Sequence, residues 1–330
     1  MSDKPIRGPS RSARNAVGVI GLGNIGRGVA ESLIRSKAWD VLVWDIAELP
    51  RKHFENRRGV SVIPPGEMGA RAFVIIFVVP GTAEILAWLR GKDGIFKTAR
   101  RGLTIYDFTT SDPARTRRVA KQAAEFGISY LDAGTSGGPY KADTGKLLTM
   151  VGGNEKAFKR TKHVLGSICE HLFFVGPSGA GHTLKLLHNV VCHATTLATA
   201  EAGHMAERAG ISLKDMIEVF NRSNARSYAT EFRFPRHIVS KTWDARGSIY
   251  NQFKDIRMGV RLGRNLGVDT TFSRATLKIL SWAVGQGMAE LDSSLLYRDF
   301  ELFRQQKPKH HRMAKVRSVA AKKQATHQTR

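Results

Sequence analysis

Along the first half of the chain, short apolar runs alternate with stretches whose apolar residues recur at helical spacing. AVGVIGL (16–22), DVLVWD (40–45), FVIIFVV (73–79), LTIYDF (103–108) and ISYLDAG (128–134) are rich in apolar residues with little alternation. Runs of this length predict strands buried on both faces, the usual condition of a parallel sheet. Between them, segments such as GRGVAESLIRSK and PARTRRVAKQAAEFG gather their apolar residues on one helical face. The alternation predicts an α/β domain built on a doubly wound sheet. LLTMVGG (147–153) and HLFFVG (171–176) are expected as two further strands, with a helix over 155–165 between them.

After 176 the texture changes. GPSGAG reads as a loop, and about thirty residues without a proline follow it. They are apolar or small on most faces, which predicts a helix buried all round. From there to about 306 the chain shows helical stretches and no period-2 run. The expected organisation is a sheet domain over 16–177 and an all-α domain over 178–306. Basic tails, 1–15 and 307–330, are expected to be disordered, because they lack periodic apolar residues and repel themselves.

Composition narrows the class. The 330 residues allow two domains with a substantial core. The longest apolar run, 72–79, is eight residues. A bilayer needs ~20, so no membrane span is expected. The first residues have no apolar signal segment. Two cysteines, Cys169 and Cys192, exclude a disulfide scaffold and a four-cysteine zinc site. A reducing, cytoplasmic compartment fits that usage. Net charge is +24, of which the last 24 residues carry +8 and the first 15 carry +3. Such tails can touch nucleic acid or an acidic membrane surface, although a merely solvated tail is the plainer reading.

The chemistry begins at Gly21-Leu22-Gly23-Asn24-Ile25-Gly26, directly after the first strand and at the start of a helix. In that context the first glycine permits a tight turn, the second lets a pyrophosphate approach the backbone, and the third lets helix and strand pack closely. The helix N-terminus favours the phosphate charge. Asp45 lies 19 positions after Gly26, at the end of the second strand. A carboxylate there accepts hydrogen bonds from the adenosine ribose and repels a 2′-phosphate, so NAD is expected over NADP. Arg51 and Lys52, a few residues on, can soften this preference, although plain surface charges are the expected reading.

Together with GLGNIG, the stretches DFTTSDP (107–113), DAGTSGG (132–138), GPSGAGHTLKLLHN (176–189) and FKDIRMGVRLGRNLGV (253–268) resemble the β-hydroxyacid dehydrogenase superfamily. That group includes 3-hydroxyisobutyrate, tartronate semialdehyde and 6-phosphogluconate dehydrogenases. The resemblance implies a Rossmann-type N-terminal domain followed by an all-α domain that pairs into a homodimer or homotetramer. It assigns Lys185 as the catalytic lysine, with Asn189 orienting substrate beside it. Ser136, Gly137 and Gly138 would hold the carboxylate of a small anionic hydroxy acid. Val79, Pro80, Thr110 and Lys254 would contact the cofactor. The residues agree with this chemistry: positions 185 and 189 stack on one face of a helix, with His188 partly alongside. A lysine on an apolar helix loses its proton more easily, which suits a general acid/base. His182, His188, Cys192 and His193 invite a metal reading, but supporting carboxylates are missing and the family uses no metal, so core or site-lining roles are expected.

The chain departs from its relatives at two positions. DAGTSGG and GAGHTLKLLHN lean toward the 6-phosphogluconate branch, in which a glutamate and a tyrosine follow the asparagine by three and four positions. Here those positions are Cys192 and His193. Neither replaces the carboxylic acid that serves after decarboxylation, so hydride transfer without carbon dioxide release is expected, with a decarboxylating enzyme as the alternative. Lys185 disfavours the imine reductase branch, which generally lacks it. A non-catalytic nucleotide-binding scaffold with nucleic-acid-binding tails is the alternative from another class. Retention of Lys185, Asn189 and the SGG turn favours the enzyme.

Overall fold

A computed structural model describes residues 16–299. Both basic tails, and with them the expectation of disorder and of nucleic-acid contact, lie outside these residues. Eight strands form one sheet: β1 (Ala16–Ile20), β2 (Asp40–Trp44), β3 (Val60–Val62), β4 (Val74–Phe77), β5 (Thr104–Asp107), β6 (Ser129–Ser136), β7 (Leu147–Gly152) and β8 (Cys169–Gly176). Their order is β3-β2-β1-β4-β5-β6-β7-β8, and every neighbouring pair is parallel except β6 with β7.

The apolar runs behave as sheet interiors. Along β4, Val74 and Ile76 join one core while Ile75 and Phe77 join the core on the opposite face. Ile105 and Tyr106 of β5 divide in the same way. Side chains alternate across a strand, so an unbroken apolar run is what two covered faces require. The strand order reverses at β1, which lies between β2 and β4. Chains leaving β1 and β4 therefore diverge, opening a crevice at the carboxyl ends of the strands. The observed strands stop short of the predicted runs at this end. Leu22, Asp45, Val79 and Phe108 fall in the loops that line the crevice rather than in the ladder. The edge strand β3 was not expected, since three half-buried residues leave no periodic signal.

The C-terminal part is helical. A long helix, Ala180–Arg208, is followed by helices over Leu213–Asn221, Ile249–Asn265, Thr271–Gly285 and Leu295–Arg298, with a wide π-type helix over Ala229–Val239. Two apolar clusters hold these together, one around Phe234 and one around Ile256 and Leu280. The long helix is not buried all round by the described residues. Leu184, Leu187, Val191 and Met205 are 39%, 48%, 66% and 60% exposed, and they recur at helical spacing along one stripe. An apolar composition in sequence does not say whether the covering surface comes from the same chain.

The long helix is anchored to the sheet by Asp132 of β6. Its buried carboxylate accepts the Gly179 N–H at 2.7 Å and the His182 N–H at 2.9 Å. These are N–H groups that a helix start leaves without internal partners, and the negative charge suits that end of the helix. Asp132→Ala leaves both donors buried and unpaired. It should destabilise the protein by ~3 kcal/mol, measured by denaturant unfolding, and Asp132→Asn, which keeps an acceptor, should cost less.

Candidate active site

At the crevice, β1 passes into the helix Asn24–Ser36 through the glycine turn. Gly21 has φ +94°, and a Cβ there would lie 2.3 Å from the Val78 carbonyl oxygen. A Cβ on Gly26 would lie 1.8 Å from the Gly21 oxygen. These two glycines are thus required by the turn and the packing. Gly23 differs, because a Cβ there meets nothing within 4 Å. No side chain caps this helix start, and no acid occupies its first turn. Free N–H groups beside open space, at a helix N-terminus, fit a dinucleotide pyrophosphate. The side chains of Leu22 and Ile25 turn into the core, so these residues can offer a ligand only their backbone.

Asp45 lies beside the glycine turn. Its Oδ2 accepts the Leu22 N–H at 2.6 Å and its Oδ1 accepts the Ala47 N–H at 2.9 Å. Arg51 is more than a solvated charge: it stacks over Trp44 at 4.6 Å and donates to the Asp45 and Ile46 carbonyls. Lys52 pairs with Glu48 in an exposed i,i+4 contact. Asn24 donates to the carbonyl of Arg246, whose guanidinium pairs with Asp143 at 2.7 Å.

At the other end of the crevice the long helix lies directly on the sheet. A Cβ on Gly134 would come within 2.5 Å of the Lys185 Cβ, and one on Gly181 within 2.4 Å of the Met150 carbonyl oxygen. Only glycine admits this approach, and it sets the root of Lys185 against β6. Two residues further along β6, Ser136 shares a 3.0 Å hydrogen bond with His188 Nε2. A connected set then runs from His188 Nδ1 to Asn189 Oδ1 at 2.9 Å, and from Asn189 Nδ2 to Asp255 Oδ2 at 2.7 Å. Lys254 pairs with Asp255 Oδ1 at 3.4 Å and also donates to the Pro80 and Thr110 carbonyls, each at 3.2 Å. Helix Ile249–Asn265 is thereby tied to both loops of the sheet domain and to the long helix.

The direction of these bonds follows from chemistry. Asn189 donates through its amide nitrogen to a carboxylate, so its oxygen accepts from His188 Nδ1–H. The neutral imidazole then presents Nε2 as an acceptor, and the Ser136 hydroxyl donates to it. A carboxylate arriving at the SGG turn competes with His188 for that hydrogen. Burial pushes His188 below the ordinary histidine value, and the charge of Lys185 adds to the shift.

Lys185 is partly buried and makes no hydrogen bond or ion pair among the described residues. Desolvation lowers its pKa below the usual lysine range; Asp255 opposes the shift and Lys254 adds to it. Asp255 is pushed upward by its own burial, against the pull of Lys254, Lys185 and the Asn189 amide. Both shifts favour the neutral forms of the two groups.

Ser136, Lys185, Asn189 and Lys254 thus gather at one end, and Gly21 to Gly26 with Asp45 at the other. Thr110 and Pro80 present carbonyls to Lys254. His182 is a core residue, sharing a hydrogen bond with Thr116 and another with the Asp107 carbonyl. Among the described residues no cluster of His, Cys, Asp or Glu is arranged to hold a metal ion. Asp255 belongs to no spacing that the sequence singles out beyond its place next to Lys254. Its link to Asn189 spans 66 residues and left no local signal.

Comparison with known proteins agrees with this geometry. Residues 16–176 match the profile of the NAD-binding domain of 6-phosphogluconate dehydrogenase, and residues 179–300 match that of the NAD-binding domain of NADP-dependent 3-hydroxyisobutyrate dehydrogenase. The chain is 29% identical to a probable mitochondrial 3-hydroxyisobutyrate dehydrogenase of Dictyostelium discoideum, over 89% of this chain and 93% of that protein. It is 28% identical to 2-(hydroxymethyl)glutarate dehydrogenase of Eubacterium barkeri, over 86% and 94%. The crystal structure of 3-hydroxyisobutyrate dehydrogenase from Salmonella typhimurium superposes with a TM-score of 0.78 at 25% identity, covering 86% of this chain and 99% of that one. The two profiles together account for nearly all the described residues, and the chain belongs to the β-hydroxyacid dehydrogenase superfamily.

Proposed function

We propose that this protein oxidises a small 3-hydroxy acid, or reduces the matching semialdehyde or keto acid, with NAD as cofactor and Lys185 as general acid/base. The observation that carries the reading is Lys185 itself: a partly buried amine with no internal partner, rooted against Gly134 and two strand residues from the SGG turn. An unsatisfied amine in such a place is costly unless a ligand uses it. Both relatives named above are dehydrogenases of hydroxy acids, which supports the substrate class.

A bound nicotinamide cofactor supplies the hydride acceptor. The glycine turn and Asp45 would hold its adenosine and pyrophosphate end, and Lys254, Thr110, Val79 and Pro80 line the other. The chain's own groups do the rest. Ser136, Gly137 and Gly138 take the substrate carboxylate, and Asn189, fixed by His188 and Asp255, orients the carbinol. As the carbinol C–H bond gives up its hydride, the hydroxyl proton passes to Lys185 Nζ and the carbonyl forms. Cys192 is a free thiol where a decarboxylating enzyme has its acid, so no carbon dioxide is expected.

The exposed stripe of Leu184, Leu187, Val191 and Met205 supports a homo-oligomer paired through the long helix. No helix among the described residues is long and apolar enough to cross a membrane. Two unpaired cysteines support a reducing, cytoplasmic compartment.

Lys185→Met should lower kcat by at least ~10²-fold, with NAD binding by calorimetry little changed. In the wild type, oxidation needs the neutral amine and reduction the ammonium. Oxidation should therefore rise with pH through a limb below the usual lysine range, while reduction falls across the same limb. A Lys185→Met enzyme that retains its turnover would overturn the assignment. Asp45→Ala removes the charge facing a 2′-phosphate and should raise kcat/KM for NADP relative to NAD by about tenfold. A wild-type preference for NADP would sink the cofactor reading. Val191→Glu should convert the oligomer to a monomer by light scattering, and a wild type already monomeric would refute the pairing.

A further inference from the structure

The long helix carries polar chemistry beyond Asn189. His193 stands at i+8 from Lys185 and i+4 from Asn189, so it continues the same face, roughly 12 Å further along the axis. Its ring is buried, and Nδ1 has no hydrogen-bond partner among the described residues. The π-type helix Ala229–Val239 packs against the long helix and contributes Arg233. Arg233 Nη1 donates to the buried Ser293 Oγ at 3.1 Å, which fixes the plane of the guanidinium.

What remains free on Arg233 is informative. Nε is buried without a partner, and no carboxylate pairs with the guanidinium among the described residues. In a guanidinium, Nε–H and Nη2 form the edge that takes both oxygens of a carboxylate in parallel. Nη1 is committed to Ser293, so that edge is the one left open. A buried guanidinium N–H with no acceptor is costly unless a ligand completes it. The charges around Lys185 lean the same way: Lys185 and Lys254 both act on one acid, Asp255, which is already bonded to Asn189 and paired with Lys254. Burial first, and then Arg233, Lys185 and His188, hold the His193 imidazole neutral, with its pKa lowered to about 3. His193 therefore adds a neutral polar atom to this end and no further charge.

We propose that Arg233, with His193 and Ser293 beside it, is a second anion subsite, and that the preferred substrate is a hydroxy dicarboxylic acid. One carboxylate lies at the SGG turn, the carbinol at Lys185, and the far carboxylate on the open edge of Arg233. This rests on the reading of Lys185 and Ser136 given above and extends it to the substrate's other end. A substrate that reaches Arg233 is longer than 3-hydroxyisobutyrate. A single fork beside a neutral imidazole suits a carboxylate better than a phosphate dianion, which calls for more cations.

The test uses the full chain with NAD and 2-(hydroxymethyl)glutarate, the same acid with its far carboxylate converted to an amide, 3-hydroxyisobutyrate, and 6-phosphogluconate. In the wild type, kcat/KM for the diacid should exceed that for its amide by on the order of 10²-fold, the worth of a charged two-point contact. Arg233→Met should collapse that ratio toward one, and Arg233→Lys, which keeps the charge but not the fork, should leave it intermediate. A wild-type ratio near one, a ratio unchanged by Arg233→Met, or a preference for 6-phosphogluconate overturns the proposal. If Arg233→Met fails to fold, the Lys variant decides, and an unchanged ratio there is also a refutation. Turnover of 3-hydroxyisobutyrate, which has no far carboxylate, should be nearly unchanged by Arg233→Met, and a loss as large as that for the diacid would sink the subsite alone. If no hydroxy acid reduces the cofactor, the dehydrogenase reading falls with it.

Discussion

A buried carboxylate that accepts two backbone N–H groups holds the two halves of this molecule in working relation. Asp132 belongs to the sheet, and the donors, Gly179 and His182, begin the long helix. The bond fixes where the helix starts, and each turn then carries one functional side chain a known distance from that start. Gly134 and Gly181 let the helix settle onto β6 and β7 without intervening side chains. If the helix began half a turn later, Lys185 would leave Gly134, and Asn189 would lose Asp255. The geometry of the crevice therefore depends on one ion–dipole contact more than on any group in the crevice itself.

Around that anchor the polar groups are satisfied unequally, and the inequality separates support from function. Asp107 is buried but filled by the Thr109 N–H and the Tyr130 hydroxyl, with His182 nearby. Asn189 and His188 are engaged with their neighbours, His188 with Ser136 and Asn189 with Asp255. Lys185 and the open edge of Arg233 lack such partners. Groups of the first kind define shape, and groups of the second kind have free energy to gain from a ligand.

The sheet was readable because its strands are unbroken apolar runs, and the nucleotide turn because three glycines fall between a strand and a helix. Positions 185 and 189 declared a shared face through spacing alone. Other features resisted for identifiable reasons. β3 is three residues long and half-buried. Asp132 looks like any acid at the end of a strand until its partners, about fifty residues downstream, are folded over it. Asp255 meets Asn189, and Arg233 meets Ser293, across separate helices, so no local pattern marks them. The outward stripe of the long helix reads as core in sequence because periodicity says only that a face is apolar, not what covers it.

The close seating of the long helix on β6 and β7 has a consequence for how such a chain can change. The two halves are not interchangeable modules, since a helical half taken from elsewhere must bring a glycine at the Gly181 contact and a start matched to Asp132. A sheet half expressed alone would leave that carboxylate and the bare Gly134 and Gly152 surface without a covering. Variation is least constrained farther along the helix, where contacts pass from the sheet to the other helices. Sequence change is thus most accessible in the turns near His193 and the π-type helix opposite, while the end seated on the sheet stays mechanically frozen.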